Sequence, residues 1–590
     1  MRTKEDSKMI KYWIVFSICL ITTAVMRSQE DDNIGTETVT VIKSYTPSVS
    51  DAFKIKAVPE LNDSIVQQKK DIQYSIFSVP VASTFSPEKG KATPVQKSSP
   101  EKLYNTSVRA ALGNFSNALL DFYTSRDIDR GDKRLDLGLN HLSSRGDIDN
   151  TPLNSDFYDT ELNTSYVQKE RDWEWSAKLG LQHQLYNWYG LPENVFDEAT
   201  VLSIDEKQNY YKAQLAGGLS MEDGVFRNGE LLYRRFWDAV KSGENRFVLA
   251  PAIEVPLNEA NLEVKAKLDY VGGSFDNATL NNTTNNPPID YGQLQFGLSP
   301  SIIILRDDLV LRLGANIVYG LETENSDSNF YLYPAVTASY RISEELAIVY
   351  GGIEGQLRQN SYYDFVEENP FVSPTLTIQP TDEQYNAHLG LRGQLLPFLS
   401  YNVKASYAAE NRRPLFILNP INTFRNDEKG YNFGNSFQVF YDDIRTTGLF
   451  AEINVDVNRS FSFRLNGEFF NYSTETDNPA WNLPEMKGSL FLDYQVNEQW
   501  SFGANLFYIG EREDFSSVAL ENTIPSDFPS TLLTLDSYFD ANVHLGYNVN
   551  DQLSIFVRAN NLANNQYERW ANFRVQSFQV LAGVSYKFDM

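Results

Sequence analysis

The chain has 590 residues, with 77 Asp and Glu against 51 Lys and Arg and a formal net charge of -26. That balance argues against a nucleic-acid partner, whose phosphates demand basic patches, and the only cysteine, Cys19, rules out a disulfide framework or a thiolate metal site. Aromatic residues make up 13% of a chain that is 42% apolar, a mixture that suits alternating strands better than amphipathic helices.

Residues 1–28 read as a secretory signal. Arg2, Lys4, Lys8 and Lys11 form a basic leader, and WIVFSICLITTAV is an apolar stretch too short to span a bilayer comfortably. Cleavage near Ser28 is expected. Ile18 stands directly before Cys19 where a lipoprotein signal wants a small residue, so lipidation is not expected. No long apolar run follows, which leaves no candidate for a membrane-spanning helix. Residues 29–103 hold a TETVTVIKSYTP run and then PEKGKATPVQKSSPEK, whose composition is that of a linker unable to bury a core. Between them DIQYSIFSVPVASTFS is apolar enough to pack, with the inside of a lumen as its expected place.

From residue 104 onward the period is two. DWEWSAKLGLQHQL sets Trp173, Trp175, Ala177, Leu179 and Leu181 against polar or small neighbours, and NLEVKAKLDY sets Leu262, Val264, Ala266, Leu268 and Tyr270 against Glu263, Lys265, Lys267 and Asp269. FAEINVDV, FSFRLNGEF and the closing SFQVLAGVSYKFDM repeat the pattern, the last with Phe578, Val580, Ala582, Val584, Tyr586 and Phe588 on one parity and Leu581 as the exception. These segments reach the length a tilted strand needs to cross a bilayer. Their polar faces carry full charges that a dry inner layer would not tolerate. An apolar face in lipid and a charged face in a wet lumen satisfy both constraints. Short links such as PLNEA, RDD, NRS and VND alternate with long polar loops such as 359–383, as turns and outer loops do in outer-membrane barrels. The expected fold is therefore all-β: a transmembrane antiparallel barrel over 104–590, with about 22 strands and a range of about 16 to 22. A propeller would show a recurrent unit of roughly 40–50 residues, and none is found.

SYFDANVHLGYNVNDQLSIFVRANNLANNQYERW and the closing strand resemble the last barrel strands of TonB-dependent outer-membrane receptors, through Tyr538, the strand up to Tyr547, Asn561-Leu562 and Tyr567. That family closes on an aromatic residue read by the outer-membrane assembly machinery. The resemblance assigns this signal to Phe578, Val580, Val584, Tyr586 and Phe588, with Asp589 and Met590 extending past it. Glu37, Thr38, Val39, Thr40 and Val41 resemble the TonB box, an unpaired β-prone segment able to add to a partner's sheet edge; a plain first strand is the other reading of the same run. A complete plug domain would not fit within 29–103, so a truncated plug or lumen-threading segment is expected.

Signs of chemistry are sparse. His141, His183, His388 and His544 lack zincin spacing, and there is no P-loop or G-x-S-x-G elbow. Neither an enzyme nor a cofactor is expected. Acidic runs at 322–329, 364–370 and 427–430 read as solvated loops, with cation bridging as the alternative. Trp173, Trp175, Trp188, Tyr189, Tyr586 and Phe588 are candidates for interfacial girdles. The resemblance implies TonB-coupled uptake of a scarce or bulky solute across the outer membrane of a Gram-negative bacterium. The partners are then lipid, the assembly machinery, TonB and a solute the sequence does not identify. The alternative is a non-coupled porin or a scaffold barrel.

Overall fold

The computed structural model describes residues 102–590, apart from 146–147, 258–259, 276–287, 344, 422–428, 459 and 516–531. The expected signal, the run at 37–41 and the linker lie outside the described residues. Strands are numbered in chain order from β1 (Thr106–Gly113) to β26 (Gln579–Phe588). Twenty-two of them form one antiparallel sheet. Two small hairpins stand apart: β20 (Arg512–Phe515) with β21 (Leu532–Leu535), and β24 (Glu568–Trp570) with β25 (Phe573–Arg574). The large sheet closes where β26 pairs with β1, from Thr106 opposite Phe588 to Gly113 opposite Leu581. Closure removes every free edge, which hydrocarbon surroundings require because no water is there to satisfy backbone groups. No helix among the described residues is long and apolar enough to cross a membrane. The architecture is the expected barrel, at the upper end of the expected strand range.

β9 (Asn261–Phe275) shows how the alternation sorts the two faces. Lys265 Nζ lies 3.1 Å from Glu263, and Lys267 Nζ 2.8 Å from Asp269. Arg246 of β8 (Gly243–Pro256) reaches the same Asp269 at 3.0 Å. Arg312 of β11 (Leu309–Glu322) passes over β10 (Ile289–Arg306) to Glu263, also at 3.0 Å. Such contacts across an intervening strand form on the concave side, so these charges face the lumen. On the other parity Leu268 pairs with Leu249 and Phe296, and Leu262 with Ile302. Leu249, Tyr270, Phe296 and Ile302 are left exposed there. An apolar belt this extensive is stable only against lipid.

Connections at one end are tight turns, such as 307–308 between β10 and β11, and both the first described residues and the C-terminus lie beside them. Lys102 pairs with Asp589 at 2.9 Å, and the Met590 amide donates to Asn105 Oδ1 at 3.0 Å. The two residues beyond Phe588 are thus tied down beside β1. Val584 and Tyr586 face outward, while the exceptional Leu581 is 5% exposed.

Aromatic residues ring both rims. At the turn end Tyr166 packs on Trp175 at 5.2 Å and Trp500 on Tyr547 at 4.7 Å. At the loop end Tyr158, His183, Tyr211 and Trp237 form a row with centroid spacings of 4.9, 4.6 and 5.5 Å. His183, on the same apolar parity as Trp173, Trp175, Ala177, Leu179 and Leu181, is therefore interfacial. Trp188 and Tyr189 are not girdle residues. They lie past the end of β5 (Trp173–Asn187), on a connection that folds inward, and Trp188 is 2% exposed against Tyr431.

Candidate functional site at the loop end

The loop end is roofed. The connection between β13 (Ala347–Arg358) and β14 (Thr381–Leu396) contains a short helix, Tyr362–Glu368. Ser361 caps it by accepting from the Asp364 amide at 3.1 Å. Asn369 returns to extended backbone before Pro370, which cannot continue a helix. Tyr362, Phe365 and Val366, spaced at i, i+3 and i+4, form its buried stripe. The sequence suggests a solvated outer loop here; instead Tyr362, Val372, Leu376 and Ile378 are at most 2% exposed. One apolar cluster joins them to Tyr210, Phe236, Phe275 and Tyr291 from one arc of the wall, to Phe416, Leu418 and Phe437 from the other, and to Trp570 and Phe573 of the hairpin β24–β25. A cluster with members on both arcs crosses the mouth.

Polar contacts hold the roof in place. The Tyr362 amide and the Tyr291 hydroxyl donate to Glu244 at 2.6 and 2.8 Å, and the Tyr362 hydroxyl donates to Asp238 at 2.9 Å. Arg234 donates to Ser361 Oγ at 3.0 Å and lies 3.9 Å over the Tyr363 ring. Arg246 joins Asp364 at 3.1 Å. Tyr210 donates to the Pro370 carbonyl at 2.9 Å, and Ser373 and Phe371 exchange backbone bonds with Phe437. Other connections interlock beneath. Asn435 donates to the Trp188 carbonyl at 2.6 Å, and a Cβ at Gly430 would lie 1.7 Å from the Asp205 carbonyl oxygen, so only glycine fits that crossing. Asp514 of β20 accepts from the Leu418 amide at 2.9 Å and from Asn482 at 2.8 Å, and burial pushes its carboxyl up to about 6.

Below one flank of the roof lies a cavity of about 610 Å³. Its wall comes from β4 (Phe157–Lys169), β5, β22 (Tyr538–Asn548), β23 (Leu553–Asn560), β26 and the hairpin β24–β25, and its cover is Val366–Phe371. Aromatic faces (Tyr186, Tyr189, Phe371, Trp570, Phe573) and amides (Gln184, Asn187, Asn542, Asn560) line it. So do the carboxylates Asp156, Asp159, Asp540 and Glu367. Glu367 is raised above the ordinary carboxyl range by desolvation, with Lys212 opposing. The volume falls within the range of small-molecule sites, and stacking surfaces beside convergent polar groups suit a solute rather than a reaction. Among the described residues no group of three or more His, Cys, Asp or Glu is arranged to hold a metal. His544 pairs with Gly503 and Arg558, on the same strand parity as the cavity-lining Asn542. His388 lines a second lumenal hollow of about 510 Å³ with Tyr350, Arg392 and Lys404. Neither histidine lines the first cavity. Of its lining residues, only those of the 364–370 run were weighed from sequence as a binding group, for cation bridging.

Solved structures with the same fold include the ferripyoverdine receptor of the Pseudomonas aeruginosa outer membrane, at 14% identity and a TM-score of 0.59, covering 83% of this chain and 73% of that one. The siderophore receptor PirA of Acinetobacter baumannii gives 11% identity and 0.61, covering 82% and 80%. The ferric-catecholate import receptor Fiu of E. coli K12 gives 10% and 0.56, covering 83% and 82%. No curated protein matches the sequence. Residues 98–562 match the family described as TonB dependent receptor-like, beta-barrel. That match spans most of the chain and every strand of the wall except the closing β26, and on it the protein belongs to the TonB-dependent receptor family.

Proposed function

We propose that this outer-membrane receptor takes up a scarce or bulky solute with energy drawn from TonB. The solute is captured at the loop end, in the cavity under Val366–Phe371, and Glu37–Val41 engages TonB from the periplasmic side. Export follows cleavage of residues 1–28. The assembly machinery reads the closing strand through Phe578, Val580, Val584, Tyr586 and Phe588. Family membership supports the coupling, and the observation that carries the reading is the roof. An apolar cluster crossing the mouth suits a receptor that must be opened, whereas a diffusion pore needs an unobstructed lumen.

Full-length chain in detergent should bind the periplasmic domain of TonB, and deletion of residues 37–41 should abolish both that binding and energised uptake while the barrel still assembles. Uptake unchanged by the deletion would refute the coupling.

A further inference from the structure

The charges at the loop end fall into two groups. On the arc formed by β6 (Lys207–Met221) through β9, cations and carboxylates are matched: Arg234 and Arg246 are met by Glu244, Asp269 and Asp364. Lys212 is met by Glu161 at 3.1 Å. On the adjoining flank the cavity is lined by four carboxylates and one guanidinium, that of Arg569, and of the four only Glu367 also feels Lys212. Asp159 receives only neutral donors, from Gln182 at 3.0 Å and Gln184 at 3.1 Å, and Asp156 receives Asn187. Amide donors satisfy lone pairs but leave the charge in place.

Two further groups bordering the cavity are incomplete. Asn187 is 2% exposed and spends its amide nitrogen on Asp156, while its Oδ1 has no partner. The Asp540 carboxylate is engaged by the Tyr567 hydroxyl, but its Oδ1 is likewise buried without a donor. Both oxygens are acceptors left without N–H or O–H partners at the cavity's edge, which adds to the unmet polar demand there. The aromatic faces of Tyr186, Phe371 and Trp570 line the same space and attract positive charge through their quadrupoles.

Resting on the receptor reading above, we propose that the cavity takes a small organic cation, an amine- or guanidine-bearing solute seated between the aromatic faces and Asp156, Asp159 and Asp540. The dispersed carboxylates do not assemble a metal site, and the uncompensated negative charge opposes a polyanionic chelate.

The test is titration calorimetry on the full-length chain in detergent with spermidine, tri-arginine and tetraethylammonium as cations, ferric dicitrate as the anion and maltotriose as the neutral control. At least one cation should bind, with affinity falling tenfold or more in Asp540→Asn and in Asp159→Asn, and falling also as salt rises. Heat-modifiable gel migration checks that both variants still fold. Binding by none of the three cations, tighter binding of ferric dicitrate or maltotriose, or an affinity within twofold of the parent in Asp540→Asn would overturn the proposal. Cation binding without energised uptake would leave this site standing and refute the transport reading instead.

Discussion

The wall and the roof are built on opposite principles. In the wall each residue's environment follows from its parity: Val264 faces lipid and Lys265 the lumen because adjacent side chains on a pleated strand point opposite ways. In the roof, neighbours in sequence share a fate only within one helical turn, and partners come from remote strands. Tyr362 is buried because Glu244, Asp238 and Phe236 converge on it from two other strands. The wall therefore tolerates any residue of the right polarity, whereas the roof depends on particular pairs. The two should fail differently.

The largest expected difference lies in conductance. Replacing residues 362–378 with a short Gly-Ser link should turn a chain with little planar-bilayer conductance into one with large steady channels. An unchanged trace would mean that the roof does not seal the mouth. Next comes Arg246→Met, which takes the shared guanidinium from the fully buried Asp269 and the roof's Asp364 and leaves them to Lys267 and Arg234. A cost of about 1.5–3 kcal/mol is expected in urea unfolding, the loss of charge-assisted hydrogen bonds while the remaining cations still offset the carboxylates. In the wall, Val264→Arg should cost ~2–4 kcal/mol if it sits near the bilayer midplane, while Lys265→Ala should leave heat-modifiable migration unchanged. Equal tolerance at the two positions would invert the assignment of faces.

The smallest effect is one of pH. The Asp514 carboxyl stands at about 6 in the fold, against roughly 4 in an unfolded chain. Between those values the folded state holds more protons, so this group's contribution to stability falls as pH rises through the window and stays low above it. Amide-exchange protection at Leu418 and Phe515, whose N–H groups bond Asp514, should be higher at pH 5 than at pH 7.5, and Asp514→Asn should flatten the difference. A fall in protection on acidification would show that hydrogen bonds to the charged form outweigh its desolvation.

Much of the wall was legible beforehand. NLEVKAKLDY, the RDD turn and the outward parity of Val580, Val584 and Tyr586 all appear in the fold as read, and His183 takes the interfacial place its parity implies. The roof was legible only in part. Ser361 before Tyr362, Phe365 and Val366, with Pro370 after, is a readable helix signal, yet the carboxylates of DFVEENP make the stretch look solvated. Nothing local marks Trp188 as buried, because its cover, Tyr431, is far away in sequence. The cavity residues were illegible for the same reason: Asn187, Asp540 and Trp570 are unremarkable until three distant connections meet.

Alternation is a property of the pleat itself, so sequence alone determined that this chain forms long strands with a lipid face and a wet face, joined by short turns at one end and long loops at the other. Only the tertiary structure decided that those loops close the mouth and enclose a hollow. The bonds responsible join residues 247 and 385 positions apart, Asn435 to Trp188 and Tyr189 to Arg574. Their meeting depends on barrel closure, which places the connections of opposite arcs over a common opening.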